Sequence, residues 1–123
     1  MTQDIQIAVA TRFLAEQSEP VNNRYAFAYT ISITNRGDET VRLLSRYWLI
    51  TDGNNETQEV HGEGVVGEQP YIGCGQTFQY TSGALLKTAF GTMEGSYQLI
   101  TDSGELFEAD IPTFSLAHPT ALH

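Results

Sequence analysis

Between Arg24 and Asn35 the side chains alternate without a break. Tyr25, Phe27, Tyr29, Ile31 and Ile33 fall on one face, and Ala26, Ala28, Thr30, Ser32 and Thr34 fall on the other. A period of two over this length is the signature of a strand with one face in a core, and it rules out a helix there. A strand must bury its apolar face against another layer, so the rest of the chain has to supply that layer.

The supply is visible in sequence order. Ile5 to Leu14 places Ile5, Ile7 and Val9 on one face and, after a break in phase, Phe13, which predicts a strand with a bulge. Ala15 to Asn23, with Pro20 and two asparagines, reads as a loop. Arg36 to Glu39 reads as a hairpin turn into a strand over 40–52, apolar on both faces around Tyr47, Trp48, Leu49 and Ile50. Asp52-Gly53 predicts a tight hairpin in which the glycine takes positive φ. A shorter polar strand over 56–62 follows, and then a stretch over 62–75 with five glycines and Pro70 that predicts no regular element. Gln76 to Ser82 alternates again. Ala84 to Phe90, confined by Gly83 and Gly91, predicts one or two helical turns. A final hairpin joins 92–102 to 105–114 around Asp102-Ser103-Gly104, with Tyr97, Leu99, Phe107, Ala109 and Ile111 inward, and the tail from Ser115 shows no periodicity. About seven strands and no long helix predict an all-β, antiparallel, immunoglobulin-like sandwich. With a single cysteine, Cys74, the internal disulfide of antibody domains is excluded, which favours the fibronectin type III-like version. The length of 123 residues suits one domain over 1–123. The hexapeptides 47–52 and 97–102 agree at all but their second position, a likeness that shared strand-into-turn chemistry accounts for without duplication.

Charge narrows the partners. A net charge of -9, with Arg12, Arg24, Arg36, Arg42, Arg46 and Lys87 scattered along the chain, opposes nucleic acid and anionic membranes, both of which need clustered cations. The opening Met1-Thr2-Gln3-Asp4-Ile5 carries an acid where a secretory leader carries bases, and no apolar run approaches the roughly 20 residues that span a bilayer. A cytoplasmic location is expected.

Gly62-Glu63-Gly64-Val65-Val66-Gly67 matches the dinucleotide fingerprint in spacing, yet Pro70 follows where that mechanism needs a helix. What survives is a backbone nest, in which Gly62, Gly64 and Gly67 let N–H groups face an anion, set against a purely structural loop. Glu59, Glu63 and Glu68 would repel phosphate there. Glu59, His61 and Glu63 alternate on one strand face at roughly 7 Å intervals, so Glu59 and His61 form a candidate metal pair that competes with a solvated polar face. No catalytic signature stands out: there is no Gly-x-Ser-x-Gly, His-Glu-x-x-His or Cys-x-x-Cys, and His118 and His123 lie on the irregular tail. No catalytic residue and no cofactor is predicted.

Residues 45–52 and 59–70, Tyr80-Thr81-Ser82-Gly83, 91–97, Ile111-Pro112-Thr113-Phe114 and the closing Leu122-His123, taken together and in order, resemble the bacterial ApaG family. Tyr47, Cys74 and Ala89 depart from the family pattern, which commonly has His, Pro and Pro there. The resemblance implies a fibronectin type III-like sandwich and no established catalytic activity. It also implies a domain that recurs in larger eukaryotic proteins, F-box proteins and a polymerase-delta-interacting protein among them, where it is credited with protein contacts. In bacteria the family is associated with cobalt and magnesium resistance and with the gene neighbourhood of a diadenosine tetraphosphatase, and a pyrophosphate-binding role is attached to the glycine motif, here Gly62, Gly64 and Gly67.

The expectation is a non-enzymatic binding module whose loop over 62–70 engages a protein partner or a small phosphorylated ligand such as pyrophosphate or a nucleoside polyphosphate. A divalent-metal-linked protein and an unrecognised polyphosphate hydrolase are the alternatives. Edge strands of a sandwich would also allow a homodimer.

Overall fold

A computed structural model describes residues 4–122; Met1, Thr2, Gln3 and His123 lie outside it. Eight strands run in order: β1 (Ile5–Phe13), β2 (Tyr25–Asn35), β3 (Val41–Asp52), β4 (Thr57–Glu63), β5 (Tyr71–Ile72), β6 (Thr77–Leu86), β7 (Phe90–Thr101) and β8 (Leu106–Ala117). All pairings are antiparallel, in two sheets ordered β1-β2-β6 and β4-β3-β7-β8, with the two-residue β5 paired to β3. The predicted antiparallel sandwich is therefore the fold, with β5 as a small addition. No described helix is long and apolar enough to cross a membrane.

The core lies between the sheets. Phe27, Ile31 and Ile33 from β2 face Leu43 and Trp48 of β3 and Tyr97 and Leu99 of β7, all almost fully buried. Trp48 is the hub: its indole meets the rings of Tyr29 at 5.4 Å, Phe114 at 5.8 Å and Tyr97 at 6.5 Å, each edge-on. One side of the sandwich is closed by β1 approaching β8. The other side, between β4 and β6, stays open. There β6 forms a sheet edge of ten residues without a charge or a proline.

Several local expectations change. The register of β1 against β2 runs unbroken from Ile5 to Phe13, so there is no bulge; Thr11 merely occupies an inward-phase position. Arg36 to Glu39 is not a hairpin turn, because β2 and β3 belong to different sheets and the segment crosses between them. Gly53 does not supply the positive φ of the β3–β4 turn. Asn55 does, at 63°, while Asp52 Oδ1 accepts the N–H groups of Asn54 and Glu56. The predicted helical turn over Ala84 to Phe90 is absent: Ala84–Leu86 finish β6, Phe90 begins β7, and Leu86 is buried. Core burial of an alternating run outweighs weak helix propensity over so few residues. The tail also starts later than expected, since β8 continues to Ala117 with Leu116 buried before a 3-10 turn at Pro119–Leu122. The look-alike hexapeptides present opposite faces: Trp48 is inward in one, Tyr97 in the other. That inversion is hard to reconcile with a duplicated unit.

The sheet crossing depends on one buried amide. Asn35 is 1% exposed; its Nδ2 donates to the carbonyls of Glu39 and Ile72 at 2.7 and 2.9 Å, and its Oδ1 accepts the Gly37 N–H at 2.9 Å. Replacing it by leucine strands those backbone groups, so Asn35→Leu is expected to lose about 2–3 kcal/mol. A chemical-denaturation midpoint matching the unsubstituted protein would refute this.

Candidate functional site

The glycine loop is built on an irregularity of β3. Between Leu43 and Ser45 the pairing with β7 slips by one residue, leaving Leu44 as a bulge. The Leu44 carbonyl, released from the ladder, accepts the Gly64 N–H at 2.8 Å and the Gln69 Nε2 at 2.9 Å, tying down both ends of the loop. Val65 plugs into the core with no exposure, and Val65 and Glu68 exchange both backbone hydrogen bonds at 2.8 and 2.9 Å. Val66 and Gly67 are then the two central residues of a primed turn, with φ of 44° and 81°.

Each glycine of the motif answers a different demand. A Cβ on Gly62 would lie 2.6 Å from Arg46 Nη1, so the missing side chain lets the guanidinium lie against the backbone. Gly64 has φ of 63°, and a Cβ would overlap the Glu68 carbonyl. Gly67 needs only its positive φ, because nothing lies within 4 Å of the Cβ position. The N–H groups of Gly64, Val65 and Glu68 are already spent on the carbonyls of Leu44, Glu68 and Val65. Glu59 and His61 sit on the outer face of β4, opposite Leu49 and Tyr47 of β3. Both gather around Tyr47, whose hydroxyl donates to Glu59 Oε1 at 3.1 Å and whose ring meets the His61 ring at 4.8 Å. Desolvation, aided by Glu59 and then Glu94, raises the Tyr47 phenol pKa. Among the described residues no group of three or more His, Cys, Asp or Glu is placed to hold a metal ion.

Arg46 is the residue that sequence reasoning passed over. After the bulge the inward phase shifts, so Arg46 lies in register with buried Tyr97 and in phase with Trp48. Its Nη1 donates to the carbonyls of Glu63 at 3.2 Å and Gly64 at 2.8 Å, joining the loop to the sandwich interior. Nearby, the hydroxyls of Tyr80 and Tyr97 bond to each other in the core. Burial pushes the Tyr80 phenol up to about 12 and raises that of Tyr97 further, while the Arg46 charge pulls both back. An arginine in the apolar phase of a central strand was the available signal.

Two antiparallel sheets packed around the Trp48 core and carrying a bulge-anchored glycine loop define a small β-sandwich domain. Residues 15–101 match the ApaG domain family model, and the chain belongs to the ApaG family. It is 56% identical over 119 residues to Protein ApaG of Dechloromonas aromatica and 54% identical to that of Pseudomonas putida, in each case over 97% of this chain and 94% of the relative. A Bordetella pertussis crystal structure, 47% identical, superposes with a TM-score of 0.93 over 95% of both chains. A second X-ray structure, also 47% identical, gives 0.92 over 97% of this chain and 90% of its own.

Proposed function

We propose that the protein is a non-catalytic binding module that offers the tip of its glycine loop to a protein partner. The carrying observation is Val66: a β-branched residue held at φ 44° and 52% exposed. The left-handed region disfavours such a side chain, and holding one there costs of the order of 1–3 kcal/mol. Asn-Gly is the preferred pair for this turn, so the fold alone gives no reason for a valine. Beside the loop, Arg42 donates through Nε to the Gln69 carbonyl at 3.1 Å and lies 4.8 Å over the ring of Tyr71, itself 65% exposed. An apolar tip flanked by an aromatic and an arginine has the composition of a protein contact. Few free backbone donors remain in the loop for a phosphorylated ligand, and Glu63 and Glu68 oppose one.

Val66→Asn separates function from stability. The substitution is expected to raise stability by about 1 kcal/mol through the relieved turn, while a photo-crosslinker at position 66 captures a partner that the same group at exposed Val21 does not. Equal capture from both positions would defeat the reading. Saturable amide shifts at Val66 and Gly67 with pyrophosphate or diadenosine tetraphosphate, with or without magnesium, would assign a phosphorylated ligand instead. Turnover of such a compound would defeat the non-catalytic reading.

A further inference from the structure

The open side of the sandwich encloses a cleft of about 550 Å³ that the loop does not use. Its floor is core: Phe27, Tyr29, Trp48 and Met93, all buried, line it. Ligand sites are typically apolar clefts of about 300–1,000 Å³ with a few convergent polar groups. Two of the six basic residues of this acidic chain, Arg24 and Arg46, line the same cleft. Each is pre-positioned by backbone carbonyls: Arg24 Nε donates to Gln17 at 3.3 Å, and Arg46 Nη1 donates to Glu63 and Gly64. Arg46 Nε and Nη2, both Arg24 Nη atoms and the Tyr29 hydroxyl have no hydrogen-bond partner among the described residues. No carboxylate neutralises either guanidinium among those residues, although Asp and Glu total 15 in the chain.

We propose that this cleft binds a small amphiphilic oxyanion, its apolar body between the sheets against Trp48 and Met93 and its carboxylate or phosphate headgroup held by Arg24 and Arg46. Guanidinium forks match such headgroups in geometry and charge. The apolar body takes from water the rim that the open edge leaves uncovered, half-buried Ile50 and Val60 and exposed Leu85. The inference is independent of the loop's protein partner.

Trp48 is the only tryptophan and lies on the cleft floor, so its fluorescence reports occupancy directly. Titrating the full chain with dodecanoate and with dodecyl phosphate, below their micelle concentrations, is expected to give saturable fluorescence changes with at least one of them, and dodecyltrimethylammonium none. The tighter of the two anions then identifies the headgroup. Arg24→Glu, at an exposed position, should weaken binding at least tenfold, since a charge-assisted hydrogen bond is lost and a repulsion added. Ala84→Phe, which fills the cleft from β6, should abolish it while circular dichroism shows a folded chain. Arg46→Gln is a poorer test because it also unties the loop. No saturable change with either anion, equal binding of the cation, or undiminished binding by folded Arg24→Glu would overturn the proposal.

Discussion

Trp48→Ala is expected to be among the most damaging single substitutions, losing about 3–5 kcal/mol, as deleting a buried large aromatic does. The indole joins the sheets by touching Tyr29 on β2 and Tyr97 and Phe114 on β7 and β8. Removing it leaves a void beside a cleft that already admits solvent, so water partly relieves the cavity but replaces none of the ring contacts. Urea denaturation of both forms measures the difference. A loss under about 1.5 kcal/mol would mean that the sheets are held together elsewhere.

The second large effect is expected at Gly95, which sits on central β7 opposite Trp48 on one side and Ile111 on the other. A Cβ there would overlap the Tyr47 carbonyl oxygen and lie 3.2 Å from Trp48 Cα. Both are backbone atoms of an interior strand, with no rotamer through which to yield. The neighbouring bulge, where β7 against β8 slips between Met93 and Gly95, fixes the register around it. Gly95→Ala should therefore cost about 3 kcal/mol or more, at or beyond the upper end for overpacking. Gly83→Ala on β6 is the matched control, because its Cβ would meet only the Phe27 carbonyl at 3.5 Å, an ordinary contact. Similar thermal shifts for the two variants would show that β3 and β7 can part locally at no great cost.

Much of the sandwich could be read from side-chain alternation because burial on one face imposes it directly, as in β2 and in the β7–β8 hairpin. What could not be read depends on which sheet a strand joins. Arg36 to Glu39 has the composition of a turn, and turn chemistry is the same whether the chain folds back or crosses over. The bulge at Leu44 hides inside the run Leu43-Leu44, where two adjacent apolar residues give no sign that the phase is about to invert. For the candidate site, the glycine spacing marked the loop but not its reasons, since those lie in Arg46 and in the Glu68 carbonyl, one of them distant in sequence. The cleft was out of reach for the same cause: its lining comes from β2, β3, β4, β6, β7 and the connection between β1 and β2, and no local pattern encodes their convergence.

The bare edge of β6 has a consequence for how these molecules behave in a crowd. Edges are usually guarded one at a time, by a lysine, a proline or a kink that spoils pairing with a neighbour. β8 has such a guard in Pro112 and β4 has Glu59 and Glu63, but the ten residues of β6 have none. What opposes the pairing of two copies through that edge is the mutual repulsion of whole molecules carrying -9 each. Repulsion of that kind has a range of about 10 Å at 0.1 M salt and shrinks as ions are added. The opposition to pairing through β6 therefore resides in the medium more than in the strand, and added salt weakens it.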